Sequence, residues 1–438
     1  MKQLVFYFDI VCPFAYIASF KLSEELIKNH PDVEFIFEPV LLGGIYDKTN
    51  ATQGKTGSAT NVMAVQKQRV VTNDLLQSIN RMDIDFTWHS AHPVKSLYAV
   101  RLLHLVKSQS DRRLVTRRLF EAYWSLNLDL SDINVLLDVV KDVNVTWIVD
   151  ELTYEVVRSH SVAAKKLREA TEKAVELGAP GVPSFWLSHS MIDGQPSLFY
   201  GQDRFQFVLS SLKGRAVPFE AFLHQKLISR HRRLTFYWDI SSPWSFLAWT
   251  QFRYLSSLMG PNVNIEHCPI LVGALFKQIS TPIVPLLSMP QAKVAYNYKD
   301  LNDWVWYWNH LEGANTFKFK YPTVFPIRSV LPQRIAIAHP ELVDLMFYSA
   351  WTHDIPLGDE SVLRDLLQKN GFDSTQIIND ASSQQVKDRL RANNERALNA
   401  GCCGVPSFQV DNGPVIWGQD RWDVILEELS TVKGESKI

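Results

Sequence analysis

The chain is written twice, and that repeat limits its possible folds more than any other feature of the sequence. LVFYFDIVCPFAY at residues 4–16 returns as LTFYWDISSPWSF at 234–246, which pairs Cys12 with Ser242 at an offset of 230 residues. Pro39-Val-Leu-Leu-Gly43 returns as Pro269-Ile-Leu-Val-Gly273 at the same offset, and His92-Pro93 returns as Phe325-Pro326 at 233. Gly181-Val182-Pro183-Ser184 matches Gly404-Val405-Pro406-Ser407, and Gly201-Gln202-Asp203-Arg204 matches Gly418-Gln419-Asp420-Arg421. Five landmarks in one order, with a slowly drifting offset, mark a tandem duplication. The copies are assigned to residues 1–212 and 233–431. The segment 213–232, which runs into the basic Arg230-His231-Arg232-Arg233 cluster, reads as a solvated linker, and 432–438 as a tail.

At 438 residues and 46% hydrophobic, the chain has ample material for two packed cores and is not a disordered protein. Its 45 basic and 46 acidic residues nearly cancel, so net charge gives no reason to expect nucleic acid or an acidic membrane as a partner. The four cysteines, Cys12, Cys268, Cys402 and Cys403, are too few for a disulfide scaffold and lack zinc-site spacing. No metal site is expected, and a reducing, intracellular compartment is. The apolar opening is interrupted by Asp9, which suits a buried strand feeding a helix better than a secretory leader. No run of eighteen uncharged apolar residues predicts a membrane span. The closing Ser436-Lys437-Ile438 resembles a peroxisomal address with a conservative last residue, and a frayed polar tail is the competing reading. Cytosol or mitochondrion stand as the other locations.

Each copy has the same order of elements. A β-rich segment (4–8; 234–238) leads into a helix that opens at Pro13 or Pro243, where proline's missing N–H is not needed. A second strand follows at 33–37 or 263–267, and then a long, mostly helical stretch. Within it, Val362, Leu363, Leu366 and Leu367 place apolar residues at helical spacing over 361–370. Two short strands and a last helix close each copy after the Gly-Val-Pro turn. This order predicts an α/β chain of two tandem thioredoxin-like domains, each with an inserted helical subdomain.

Three motifs carry chemistry. Cys12 and Ser242 stand just before a helix N-terminus, where unpaired amides and the helix dipole favour negative charge. A cysteine there tends toward thiolate, whereas a serine donates its hydroxyl to a ligand's thiolate or serves as a plain N-cap. Neither Cys12-Pro-Phe-Ala15 nor Ser242-Pro-Trp-Ser245 can close an internal disulfide, which disfavours ordinary dithiol exchange. Val182-Pro183 and Val405-Pro406 read either as ordinary tight turns or, as in thioredoxin-like folds, as turns that expose the preceding residue's backbone to an extended peptide. The amides of the Gly-Gln-Asp-Arg segments suit a carboxylate, and Asp203 or Asp420 suits an ammonium or a simple cap. Trp304, Trp306, Tyr307 and Trp308 read either as an apolar substrate wall or as core, and Asp9 and Asp239 as tuning groups or strand-end caps.

Together these motifs resemble the kappa-class glutathione transferases and the 2-hydroxychromene-2-carboxylate isomerases, which share a DsbA-like fold. The family's helix pattern is complete in the second copy as Lys293, Tyr296, Asp300, Leu301 and Trp304, while the first copy keeps Lys67, Asp74 and Leu75. The resemblance implies glutathione as substrate or cofactor, beside a small apolar or aromatic compound. It implies that Ser242 stabilises the glutathione thiolate, Val405 and Pro406 pair with the tripeptide backbone, and Gln419 and Asp420 hold its γ-glutamyl end. Val182, Pro183, Gln202 and Asp203 are the first-copy counterparts, with Cys12 in the serine position. The family's asparagine after Leu-Gly-x-Phe-Lys has no counterpart in register in the second copy. Three functions stay open: a glutathione-dependent transferase or isomerase, a monothiol oxidoreductase working through Cys12, and a non-catalytic glutathione-binding or scaffold protein. Family chains of this type are homodimers, so an intramolecular pseudo-dimer of the copies, with or without further homo-oligomerisation, is the implied assembly.

Overall fold

In the computed structural model, which describes residues 2–51, 59–223, 228 and 230–431, the apolar run at the head of each copy becomes a central strand. β1 (Lys2–Phe8) pairs in parallel with β2 (Val33–Pro39) and antiparallel with β3 (Ser184–Leu187), which pairs in turn with β4 (Ser197–Tyr200). The second copy repeats this with β5 (Arg232–Trp238), β6 (Val263–Pro269), β7 (Ser407–Val410) and β8 (Val415–Trp417). The strand orders are β2-β1-β3-β4 and β6-β5-β7-β8. The last five residues of both β1 and β5 are buried without alternation, as expected for strands covered on both faces.

The helices that position the functional segments are α1 (Pro13–Lys21), α2 (Leu42–Lys48), α3 (Val65–Arg81) and α4 (Phe205–Lys213) in the first copy. Their second-copy counterparts are α5 (Pro243–Met259), α6 (Val272–Gln278), α7 (Gln291–His310) and α8 (Trp422–Ser430). The helix read from periodicity at 361–370 is found at Glu360–Lys369, with Leu363, Leu366 and Leu367 buried.

The chain packs as two compact units. The first comprises Met1–Met63, Val71–Val217 and Met289–Asp300; the second comprises Ala64–Val70, Pro218–Ser288 and Leu301–Ile438. Each unit therefore contains one short helical stretch that belongs, by sequence, to the other copy.

In the first unit the core is a stack of rings across the sheet, with Phe6 5.0 Å from Phe8 and 5.4 Å from Phe185. In the second, Phe236 and Phe408 repeat the contact at 5.1 Å. A buried tryptophan fixes the turn before each functional position: Trp124 Nε1 donates to the Ile10 carbonyl at 2.9 Å, and Trp351 Nε1 to that of Ile240 at 2.7 Å. Trp304, Tyr307 and Trp308 are fully buried and pack on Phe219, while Trp306 stacks on His310 at 4.6 Å. Three of that aromatic quartet are therefore core, not a substrate wall. The Ser436-Lys437-Ile438 tail lies outside the described residues.

Candidate functional site

In the second unit, Ser242 stands at the N-cap of α5 in extended backbone, with Pro243 as the first helical residue. Its Oγ accepts from the Ser245 amide at 3.2 Å and donates to the Val405 carbonyl at 3.4 Å. The hydroxyl thus performs the ordinary capping job, worth about 1 kcal/mol, while its proton is directed at the loop carrying Pro406.

That loop is tied to the third motif. The Pro406 carbonyl accepts from the Gly418 amide at 3.0 Å, so Ser242, Val405-Pro406 and Gly418-Gln419 form one hydrogen-bonded chain. Val405-Pro406 is cis, and the Val405 amide donates to nothing among the described residues. Gly418 takes φ of +119°, where a side chain would be strained and its Cβ would run into the Asp420 carboxylate. The turn therefore holds Asp420 close against its own backbone, with Asp420 Oδ2 2.9 Å from Arg421 Nη1. Gln419 is buried; its Oε1 accepts from Trp308 Nε1 at 2.8 Å, which fixes the amide, and its Nε2 has no acceptor among the described residues. A buried donor left unmade costs about 1–3 kcal/mol, so an acceptor at this turn would be stabilising.

The first unit repeats the architecture with different chemistry. Cys12 caps α1 without a side-chain bond to the helix and donates its Sγ–H to the Val182 carbonyl at 3.3 Å. The Pro183 carbonyl accepts from the Gly201 amide at 2.9 Å, and Val182-Pro183 is cis. Burial pushes the Cys12 thiol up to about 12, the amides of Ala15 and Phe14 recover only part of that, and Asp9 adds to it. Desolvation defeats the helix N-terminus here, and Cys12 is a protonated thiol at neutral pH. Gln202 is occupied as well: Lys21 Nζ donates to its Oε1 at 2.5 Å and to its carbonyl at 2.9 Å. Asp203 lies 3.0 Å from Arg204, and Arg204 grips Asp300 through Nε at 2.6 Å and Nη2 at 2.8 Å.

That last pair shows where the family-like helix works. Tyr296 and Asp300 belong to the second copy by sequence but serve the first unit. The Tyr296 hydroxyl accepts from the Tyr200 amide at 2.7 Å and faces its carbonyl at 3.3 Å. Conversely, Lys67 belongs to the second unit, with its ammonium 5.3 Å from the centre of the Trp417 ring. Burial lowers the Lys67 pKa. The motif was legible in the sequence; the unit it would join was not.

Asp9 and Asp239 are buried joints. Asp9 accepts from the amides of Leu42 (2.8 Å) and Val11 (3.3 Å) and from Ser96 Oγ (3.0 Å), fastening β1 to α2 and to the loop after Pro93. Asp239 accepts likewise from Val272 (2.8 Å) and Ser241 (2.9 Å). Burial raises both carboxyls, Asp9 to about 6. Cys402 and Cys403 are buried beside the Pro406 loop, and desolvation raises both thiols, Cys403 to about 12. They are poor nucleophiles. Among the described residues no helix is long and apolar enough to cross a membrane, and no group of three or more His, Cys, Asp or Glu is placed to hold a metal ion.

Besides Cys12, the first unit contains residues that sequence reasoning passed over. A cavity of about 590 Å³ opens beside Cys12 and is lined by Trp88, His92, Leu75 and Tyr200 among others. The sequence signals were the His92-Pro93 landmark, which served as a repeat marker, and Leu75, which served as part of the family's helix pattern.

The DSBA-like thioredoxin domain model matches this chain twice, over residues 3–213 and 233–430. Glutathione S-transferase kappa 1 of Caenorhabditis elegans is 26% identical over 223 residues, covering 49% of this chain and 92% of that protein. The 2-hydroxychromene-2-carboxylate isomerase of Sphingobium xenophagum is 25% identical over 215 residues, covering 48% and 98%. A solved structure of a 2-hydroxychromene-2-carboxylate isomerase superposes with a TM-score of 0.40 at 20% identity, covering 48% of this chain and 94% of that one.

Proposed function

The chain belongs to the DSBA-like thioredoxin domain family, with two copies of the domain, and from that premise we propose that it is a glutathione-dependent transferase or isomerase working at the second unit's Ser242 site. The observation that carries this reading is the bonded chain Ser242–Val405 and Pro406–Gly418, which gathers a hydroxyl, a free backbone amide and a helix-opening turn. Gln419 adds a buried donor without an acceptor among the described residues, the kind of group that a bound carboxylate would satisfy. The relatives named for glutathione and for an isomerase support the substrate class.

Residue by residue, the roles follow from what each group can do. Gln419 and the amides of the turn would hold the γ-glutamyl carboxylate, and Asp420 would hold the ammonium beside its own Arg421. The Val405 amide would pair with the cysteinyl backbone. Ser242 keeps accepting from Ser245 while its hydroxyl proton turns from the Val405 carbonyl to the incoming sulfur, which lowers the cost of ionising the thiol. When bound, glutathione supplies the nucleophilic sulfur that adds to an apolar or aromatic electrophile. An oxidoreductase acting through Cys12 is disfavoured, because its thiol is held protonated.

Calorimetric titration of glutathione into the full chain and an Asp420→Ala variant tests this. Saturable binding that weakens at least about tenfold in the variant is expected, the loss of one charge-assisted contact. Equal affinity in both proteins, or no binding to the unmodified chain at millimolar glutathione, would overturn the reading.

A further inference from the structure

We infer that the cavity beside Cys12 is a second binding site, one that takes a neutral, largely aromatic molecule with a single hydrogen-bond acceptor such as a ketone oxygen, and that binds it without thiol chemistry. This inference does not depend on glutathione binding at Ser242.

The cavity's size comes first. At about 590 Å³ it falls within the range of drug-sized ligand sites. Its walls are mostly hydrocarbon and ring: Leu75, Val94 and Trp88 line it, with Trp88 42% exposed at the edge. A half-exposed indole on an apolar cavity offers a flat surface for an aromatic ligand.

Its charges are the second point, and they are almost absent. Both oxygens of Asp9 are taken by the Leu42 and Val11 amides and by Ser96, so this carboxylate is sealed away from a ligand. His92 bonds Tyr123 through Nδ1 at 3.0 Å; burial and the neighbouring His89 hold its imidazole down to about 4, so it is neutral. Cys12 keeps its proton and spends it on Val182. Lys95, exposed, is the one cation among the described residues of the lining. A zwitterionic tripeptide finds only this exposed lysine among the described residues of these walls as an ionic partner, and the turn that would hold its γ-glutamyl end is closed by the Lys21–Gln202 and Arg204–Asp300 contacts. At the equivalent place in the second unit the lysine is replaced. There Gln251 stands where Lys21 does and bonds Asn315, leaving Gln419 to Trp308.

The third point is one unused donor. The Tyr200 hydroxyl lines the cavity and has no hydrogen-bond partner among the described residues, although the Tyr200 backbone is clamped by Tyr296. In the second unit Trp417 occupies this strand position, opposite Ser407 as Tyr200 is opposite Ser184. The phenolic hydroxyl is therefore particular to the first unit, the second carrying an indole N–H in its place, and burial together with nearby Cys12 and Asp203 raises the Tyr200 pKa, keeping it protonated.

The test is a fluorescence titration of the full chain with the neutral ketone propionyl-dimethylaminonaphthalene. Saturable binding is expected, with millimolar glutathione failing to displace the probe. Thr72→Trp, which fills the cavity from a partly exposed position on α3, should weaken it at least about tenfold. Tyr200→Phe should weaken it about fivefold, the worth of one neutral hydrogen bond, and leave dimethylaminonaphthalene without the propionyl group bound equally by both proteins. If Thr72→Trp fails to fold, slowing of Cys12 alkylation by the bound probe in the unmodified chain, measured at alkaline pH where the thiolate becomes appreciable, decides instead. Absent saturation, unchanged affinity in a folded Thr72→Trp, an unprotected Cys12, displacement by glutathione, or equal weakening of both probes by Tyr200→Phe would each overturn the inference.

Discussion

Replacing Ser242 by alanine separates two jobs that this one hydroxyl performs. As a cap, Oγ accepts from the Ser245 amide at 3.2 Å, and its loss should cost about 1 kcal/mol of stability. As a donor, the same hydroxyl is expected to meet the sulfur of bound glutathione. A hydrogen bond to a charged acceptor is worth about 1.5–3 kcal/mol, so removing it should raise the bound thiol's pKa by about 1–2 units. Ser242→Gly isolates the second effect, because glycine is only a few tenths of a kcal/mol worse than serine as an N-cap. The measurement is thiolate absorbance in the ultraviolet, followed over pH with glutathione-saturated protein, beside thermal melts of each variant. Both substitutions should raise the thiol pKa alike, while alanine lowers the melting temperature more than glycine. A thiol titration that coincides with the unmodified protein in both variants would refute the role of Ser242, whatever the melts show.

Three further outcomes follow from the geometry. Asp300→Ala removes the two-pronged partner of Arg204 from a mostly buried site and should cost about 3 kcal/mol, read as roughly hundredfold faster hydrogen exchange in Ser197–Tyr200. Paired Arg204→Ala should recover part of that loss. Cys12, held up at about 12, carries about a thousandfold less thiolate at neutral pH than an ordinary cysteine and should resist iodoacetamide accordingly, as timed by mass spectrometry. Asp9 holds a proton more tightly in the folded than in the unfolded chain, so its contribution to stability is full below about pH 4 and falls by about 3 kcal/mol as pH rises through about 6. Asp9→Asn should remove that slope from denaturation midpoints measured across this range, and an unaltered slope would count against the assignment.

Local rules acted within a few residues of one another, and they were readable. A proline after Cys12 or Ser242 opens a helix, an uninterrupted apolar run makes a doubly covered strand, and a repeated Gly-Gln-Asp-Arg makes a turn only glycine can begin. From such signals alone came the duplication, the order of elements and the three motifs that meet around Ser242. What depended on solvent and on distant partners was decided only by the fold. Cys12 and Ser242 hold matching places in the sequence, yet burial keeps the thiol protonated, because desolvation of a charge outweighs the pull of a helix end. The complete family helix lies in the second copy, yet Tyr296 and Asp300 pack in the first unit, since a helix joins whichever surface buries its side chains and pairs its charges. The cavity beside Cys12 arises in the same way, from walls brought together across more than a hundred residues of chain that no local pattern could assemble.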